Sequence, residues 1–531
     1  MTPADAARPA HPADAAQAAR HGKHVRVVVV GAGFSGIGAA IRLRQAGFRD
    51  VLVLEKGSEL GGTWRDNTYP GCACDVPSTL YSYSFAPGAA WSRVFAGQRE
   101  IHAYLRTTAE QHGLGDVLRC GVHVREARWD PAAGRWLLET SDGPYSAAVL
   151  VLATGPWHVP RRLDAPGVEE FAGPVLHTAR WDHGVDLAGR RVTVVGSGAS
   201  AVQIVPAIAA RAAALHLFQR TAPWVLPKPD LPVPAAFNRG LDSLPGARRA
   251  LRAGQYTLQE GFGFAFRHPR VARLVEAGAR AHLRLAVRDP ALRRALTPDY
   301  RLGCKRLLTS STYYQALTQP HVRLHPTAVT AVRGNHVVGA DGSTAPTDVL
   351  VTATGFRVGE LPLAGSLHGA DGRTLHEAWD GEPQAYLGTS VSGFPNLFLL
   401  LGPNLLGGTT SAITVLEAQL TYLTAALSHL DRGGHRALDV RPGAQAAHNT
   451  AVQEALRSTV YDSGGCTSYY FSPGGRNTFA WPWSTGRLVR RLSRFDPGSY
   501  TWYAPGRPAA LPAQARPRHD DRTAPAKEEQ P

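Results

Sequence analysis

Two sets of glycines hold most of the chemistry that can be read from this sequence. Gly31, Gly33 and Gly36 close the apolar run Val27–Val30 and open the segment Ile37–Gly47, with Phe34 and Ser35 inside the turn. A second apolar run, Val51–Leu54, ends in Glu55, with Lys56 beside it. A strand, a glycine turn, a helix, a strand and an acid in that order suit a dinucleotide. The turn lets a pyrophosphate approach the backbone, the helix N-terminus adds partial positive charge, and the acid accepts from a ribose hydroxyl. The pattern then recurs: Arg191–Val195 runs into Gly196 and Gly198, followed by Ala199, Ser200 and Ala201. Arg220, next to Thr221, stands as far beyond Gly196 as Glu55 stands beyond Gly31, in place of an acid. A guanidinium grips a 2′-phosphate that a carboxylate repels. The first turn is therefore expected to take FAD and the second NADPH. The competing readings are an ordinary βα turn for the first and a surface arginine, in an arginine-rich chain, for Arg220.

The elements that must position these residues follow from pattern. After Glu55 the stretch to Phe85 is rich in Gly, Pro, Asn and Ser, yet carries Trp64, Tyr69, Tyr81, Tyr83 and Phe85. A loop this aromatic, headed by Gly61, Gly62 and Thr63, is expected to pack against something flat; a self-packed surface loop is the alternative. Residues 99–119 read as helix and 121–152 as short strands ending before Ala153-Thr154-Gly155. Residues 240–298 alternate Arg and Ala, with Val271, Leu274, Val275 and Leu285 at helical spacing, a stripe expected to face the core. A second apolar strand closes in Ala353-Thr354-Gly355-Phe356. Gly407–Ser411 precede a long helix at 412–430, whose N-terminus could face an electron-rich ring. The fold class is α/β, with two Rossmann-like dinucleotide-binding domains and a helical insertion. The expected division is a disordered lead 1–24, an FAD-binding part 25–160, an NADP-binding part 161–225, the insertion 226–299, the second NADP part 300–358, the second FAD part 359–504 and a disordered tail 505–531.

Composition narrows the rest. At 531 residues the chain has room for two or three domains. Its formal charge of +15 is spread along the sequence without a basic stripe or a recognised module, so no nucleic-acid partner is expected. The five cysteines are an odd number without CxxC pairs or histidines at zinc spacing. Neither disulfides nor a metal are expected, and a reducing cytoplasm fits best. No apolar run approaches the length a bilayer demands, so no membrane span is expected. The first residues, 1–24, lack the apolar centre of a signal peptide.

Two dinucleotides in one chain imply electron transfer between them. A flavin disulfide reductase needs a CxxxxC pair after the Gly61-Gly62-Thr63 turn. Here Trp64 follows the turn, and Cys72 and Cys74 lie one residue apart in a loop. Instead, GAGFSG, the run from Glu55 to Phe85, GSGASA, GCKR and ATGF, in this order, resemble the Baeyer–Villiger monooxygenases, the class B flavoprotein monooxygenases. FAGPVLHTARWD matches that family's fingerprint FxGxxxHxxxW followed by Pro or Asp, on Phe171, Gly173, His177, Trp181 and Asp182. The resemblance covers about residues 25–500.

It implies an NADPH- and O2-dependent enzyme in which NADPH reduces FAD, O2 gives a flavin C4a-peroxide, and a ketone becomes an ester or lactone. A deprotonated peroxide needs a fixed cation that does not titrate, and arginine is that residue. The resemblance places the role on Arg306, with Asp75 orienting it and Lys305 on the NADPH phosphate. It makes His177 a residue of domain coupling, where a general base is the tempting alternative. Trp64 and the tyrosines near it, Tyr81 included, are expected to cover the flavin. Cys72 and Cys74 receive no role. The rival readings are N- or S-oxygenation on the same fold, whose enzymes carry Tyr or Phe where Trp181 stands, and a flavin-binding redox sensor that does not turn over.

Overall fold

The computed structural model describes residues 22–88, 90–407 and 410–505. The expected lead lies outside these residues as far as His21, but Lys23 and His24 do not belong to it. They begin the first strand, where they pair with Tyr145 and Ser146. The expected tail from Gly506 onward also lies outside, as do Gly408 and Thr409 of the turn before the long helix.

A first sheet is built around Lys23–Val30. Its strands run in the order Leu367–His368, Val124–Asp130, Arg135–Thr140, Gly143–Leu152, Lys23–Val30, Val51–Glu55 and Leu118–Cys120, with Leu397–Leu399 added against Gly143–Leu152. The central strands are parallel, so both faces need cover, and the sequence supplies apolar residues to both. Val27, Val29, Val53, Val149 and Val151 pack on one side, together with Ile37 and Ile41 of helix Phe34–Gln45 and with Leu416, Leu420 and Leu423 of helix Ala412–Arg432. Val28, Val30, Leu52, Leu54, Leu150 and Leu152 face the other way, onto Trp129, Trp136, Trp379 and Phe394. Burying each aliphatic side chain is worth roughly 1.5–3 kcal/mol.

A second sheet is all parallel, in the order Val322–His325, Ala214–Phe218, Arg191–Val195, Val349–Thr352 and Val175–His177. In both sheets the central strand, Lys23–Val30 or Arg191–Val195, has neighbours reached from opposite directions. That reversal opens a crevice at the strands' carboxyl ends, where each glycine turn sits. Two connections join the sheets and lie side by side: Arg161 N donates to Gly355 O (2.9 Å) and Arg357 N to Val159 O (2.9 Å).

Four helices, Ala235–Ser243, Ala247–Arg267, Pro269–Ala286 and Pro290–Ala295, fill the segment after the second turn. The strand pair Val225–Leu226 with Leu308–Thr309 closes its neck. The core stripe expected on Pro269–Ala286 is half wrong. Val271 and Val275 lean on the core, but Leu274 is 74% and Leu285 84% exposed, and the buried positions are Ala272, Glu276, Ala279 and Leu283. Glu276 is drawn inward because Leu302 N (3.0 Å) and Arg301 Nε (2.8 Å) both donate to it, which turns the helix off its most apolar face.

The expectation of no disulfide is also overturned. Cys304 and Cys466 are bonded across 162 residues of sequence, leaving Cys72, Cys74 and Cys120 free. An odd number of cysteines excludes only complete pairing. The fold brings the Leu302–Arg306 loop against the Gly464–Tyr470 loop, a neighbourhood that no spacing rule records. Among the described residues no group of three or more His, Cys, Asp or Glu could hold a metal. No helix among them is long and apolar enough to cross a membrane.

Candidate active site

The first glycine turn is a tight backbone crossing. Gly31 has φ +105°, and a Cβ on Gly36 would lie 1.7 Å from Gly31 O, so only glycine lets the helix start this close to the strand. Gly33 and Gly62 face each other: a Cβ on Gly62 would be 3.1 Å from Gly33 Cα, and Gly61 N donates to Ala32 O (2.8 Å). Glu55 is buried and ends its strand at this turn. It accepts from Ala32 N (2.8 Å), Gly57 N (2.7 Å) and Arg65 Nη1 (2.8 Å). Arg65 gave no signal in the sequence, because an arginine in a glycine-rich loop has no pattern to mark it. Lys56 is exposed, and burial of its stem lowers its ammonium pKa. Ser35 is buried under the turn. Phe34 packs edge-on against Tyr81 (centroids 5.2 Å apart) and at a tilt against Tyr83 (also 5.2 Å).

The aromatic loop is a wall, not a surface coil. Trp64 Nε1 donates to Tyr81 Oη (3.2 Å), their rings meet edge-on at 5.6 Å, and Trp64 is only 7% exposed. Thr63, Trp64 and Tyr81 line a cavity of about 810 Å³ that the second glycine turn, from Gly196 through Gly198 and Ala199 to Ser200, lines as well. Arg220 and Thr221 line it too. Arg220 is exposed and has no carboxylate partner among the described residues. Lys305 lies close enough for Arg220 to depress its ammonium, after burial as the larger cause; its Nζ also sits 4.9 Å from the Tyr300 ring centroid. Two cations lining one cavity raise its local positive potential, which favours anionic ligands.

Arg306 and Asp75 meet on the same cavity wall although they stand 231 residues apart. Arg306 Nη2 donates to Asp75 Oδ1 (2.7 Å) and Oδ2 (2.8 Å), and Nε to Oδ2 (3.1 Å), a forked charge-assisted contact. The side chains are 27% and 21% exposed. Asp75 raises Arg306 above its ordinary range and outweighs burial, which works the other way. Burial pushes the Asp75 carboxyl up, but Arg306 and then Lys228 hold it below its usual value. Lys228 donates from Nζ to Cys74 O (3.0 Å). Burial lifts the Cys72 thiol to about 12 and raises Cys74 further, so neither is a thiolate at neutral pH.

The fingerprint residues stand away from this cavity. His177 ends the outermost strand of the second sheet. Its Nδ1 accepts from Ala179 N (3.0 Å), and Nε2 lies 3.4 Å from Thr354 Oγ1, in the connection between the sheets. Burial lowers its pKa, which favours the neutral imidazole at pH 7. Phe171 is buried, and Gly173 has no room for a side chain, since a Cβ would lie 2.4 Å from Asp348 O. Trp181 packs on the second sheet's core, and exposed Asp182 caps a turn through Gly184 N (2.8 Å). Of this set, His177 reaches the connection between the sheets, at Thr354.

The residues suit two dinucleotides. Gly36 and Gly62 clear a backbone cradle, and beside Gly31 the buried Thr154 Oγ1 has no hydrogen-bond partner among the described residues. The fold and site thus define a two-dinucleotide flavoprotein. The pyridine nucleotide-disulphide oxidoreductase family model matches residues 28–235. A Baeyer–Villiger monooxygenase of Streptomyces coelicolor is 47% identical over 497 residues, 93% of this chain and 95% of that one. An oxidized steroid monooxygenase bound to NADP superposes with TM-score 0.80 at 29% identity, covering 91% of this chain and all of that one. OTEMO in complex with FAD and NADP does so with TM-score 0.80 at 25% identity, over 90% and 99%. The chain belongs to the Baeyer–Villiger monooxygenase family, and it is an FAD- and NADPH-dependent monooxygenase.

Proposed function

We propose that the cavity oxidises a small-molecule ketone to an ester or lactone through the Arg306–Asp75 pair on its wall. In balance, ketone, O2, NADPH and a proton give ester, NADP⁺ and water. When bound, the flavin supplies two-electron activation of O2 with electrons from NADPH. The forked contact to Asp75 carries the reading, because it fixes a cation that cannot titrate where negative charge must be held in a dry pocket. Asp75 orients the guanidinium and leaves Arg306 Nη1 free of that contact. Trp64 and Tyr81 exclude water from the flavin side, and Arg220 with Lys305 receives the 2′-phosphate. Glu55, held by the backbone of its own turn, receives the FAD ribose, with Gly31, Gly33 and Gly36 at the pyrophosphate. His177, Phe171, Gly173, Trp181 and Asp182 couple the two sheets during turnover.

We assign residues 25–160 and 359–504 to the flavin half and 161–225 and 300–358 to the NADPH half. The cytoplasm, where NADPH is regenerated, is the proposed compartment on that ground alone, since the Cys304–Cys466 bond takes away the argument from unpaired cysteines. The test is to follow NADPH consumption and product mass together on the flavin-loaded protein with cyclic, linear and aryl ketones, amines and thioethers. A ketone product heavier by one oxygen, in proportion to NADPH, is expected. Oxygenation of only the amines or thioethers would overturn the proposal.

A further inference from the structure

Arg306 is held on three sides. Asp75 grips its guanidinium. Two residues on, Leu308 enters the short strand paired with Val225–Leu226. Two residues before it, Cys304 is bonded to Cys466. Beyond Cys466 the chain at once becomes cavity wall: Thr467, Ser468, Tyr469 and Phe471 line the same space as Arg306. The bond thus ties the arginine's loop to this stretch of wall, and neither bonded cysteine lines the cavity itself.

The surroundings are shaped around this tie. Arg301 N donates to Gly464 O (2.9 Å), laying the two loops side by side. A Cβ on Gly464 would lie 2.4 Å from Cys304 Cβ and 2.8 Å from its Sγ. Gly303 and Gly465, each next to a bonded cysteine, have φ of +102° and +73°, which other residues rarely adopt. Cys304 is 1% exposed. Tyr469 and Arg306 each bear on the other's titration, which places the tied wall within electrostatic reach of the guanidinium. The loop Gly464–Tyr470 otherwise meets the Arg306 loop through one backbone hydrogen bond and side-chain packing.

We propose that the Cys304–Cys466 bond is a positioning element for oxygenation: it holds the Thr467–Phe471 wall in register with Arg306, so that cutting it uncouples NADPH use from ester formation. This rests on the role given to Arg306 above. The bond is opened by a phosphine reductant, which becomes the phosphine oxide as water gives it oxygen and gives each sulfur a proton. Cys304 and Cys466 act through Arg306 and touch no reacting atom.

The experiment uses the FAD-loaded full chain purified without reductant. Thiols are counted in denaturant before and after tris(2-carboxyethyl)phosphine. Product and hydrogen peroxide per NADPH are then measured on the intact protein, on reduced protein freed of phosphine, and on Cys304→Ser/Cys466→Ser. Three thiols are expected before reduction, from Cys72, Cys74 and Cys120, and five after. Product per NADPH should fall about tenfold, inside the 100-fold that a 1 Å misplacement costs, with hydrogen peroxide making up the difference. Reoxidation with diamide should restore coupling in the reduced native chain but not in the serine variant. Five thiols before reduction would overturn the proposal. So would unchanged coupling once the bond is gone, even with a lower Tm. The reduced native protein keeps the test available if the variant does not fold. Arg306→Ala is assayed alongside: coupled ester formation by that variant refutes the role of Arg306 itself, while its loss with coupling intact in the bond-cut protein refutes only the tether.

Discussion

The Arg306–Asp75 pair makes the sharpest prediction, because charge and geometry can be removed from it separately. A unit charge about 4 Å from the group it stabilises is worth roughly 4 kcal/mol at an effective dielectric near 20. Losing one preorganised donor to developing negative charge costs about 10²–10³ in rate. Arg306→Ala should therefore lower ester formation by about 10²–10³-fold while reduction of the flavin by NADPH persists and hydrogen peroxide accumulates. Arg306→Lys keeps the charge but has no fork to set against both oxygens of Asp75, and should fall between the two. Asp75→Asn leaves Arg306 charged and removes only the carboxylate half of the contact, worth about 1.5–3 kcal/mol, so the loss should be about 10–100-fold. The assay is product and peroxide per NADPH, with anaerobic flavin reduction measured separately. Full activity in Arg306→Lys would refute the argument that orientation matters. Loss of flavin reduction in Arg306→Ala would refute the assignment of Arg306 to the oxygenating half. The pH dependence has a definite sign. Asp75 lies below its ordinary value of 3.8, so the pair's contribution is present above that value and lost only as pH falls through the lower folded one. Coupling should be flat between pH 6 and 9 as far as this pair is concerned, and a loss of coupling in Asp75→Asn confined to alkaline pH would contradict it.

Arg220→Ala should raise KM for NADPH by about 10–100-fold, the cost of one bidentate charged contact, and leave KM for NADH nearly unchanged; equal losses for both cofactors would remove Arg220 from the 2′-phosphate. Gly36→Ala places a methyl 1.7 Å from Gly31 O, so the purified protein should be colourless, and a yellow variant with full flavin would show that the turn tolerates a side chain. Asp439 is buried and its carboxyl is pushed up to about 8, burial outweighing the donation from Gly393 N to both oxygens. A raised carboxyl pKa means the folded chain holds a proton that the unfolded chain releases, so stability falls as pH rises from about 4 to about 8. Asp439→Asn should raise Tm by several degrees at pH 8.5 and barely at pH 5; equal shifts at both would refute it.

How much of this was legible in the sequence depends on the range of the interaction that made each feature. The two glycine turns, Glu55 and Arg220 are local: a strand, a turn and an acid or a base within one strand–helix–strand unit are fixed by backbone geometry, and they stand where the pattern put them. Arg306 and Asp75 were visible only through family resemblance, since no spacing rule joins residues 231 apart. Arg65, Lys228 and the Cys304–Cys466 bond had no local signature at all. The stripe on Pro269–Ala286 shows the limit of periodicity. It identifies an amphipathic helix, but a buried acid held by Leu302 N and Arg301 was enough to rotate Leu274 and Leu285 into solvent.

The placement of the pair has a consequence for how the enzyme works as a whole. Asp75 belongs to the loop that follows the first glycine unit, whereas Arg306 precedes the strand that closes the neck of the helical insertion after the second. Their contact therefore ties the loop after the first dinucleotide unit to the loop at the neck of the insertion that follows the second, and both partners line one cavity. The same is true of Tyr69, whose hydroxyl donates to Gln203 on helix Ala199–Ala209 (2.8 Å), and of Gln203 itself, which donates back to Ala73 O (2.9 Å). The aromatic loop is thus hydrogen-bonded, a few residues before Asp75, to the helix that starts at the second glycine turn. Movement of that helix when the nucleotide binds would be felt at the carboxylate that aims Arg306. The fingerprint residues need no chemistry of their own to matter here: on the proposed reading His177, 3.4 Å from Thr354 Oγ1, braces that joint and with it the way the two units meet.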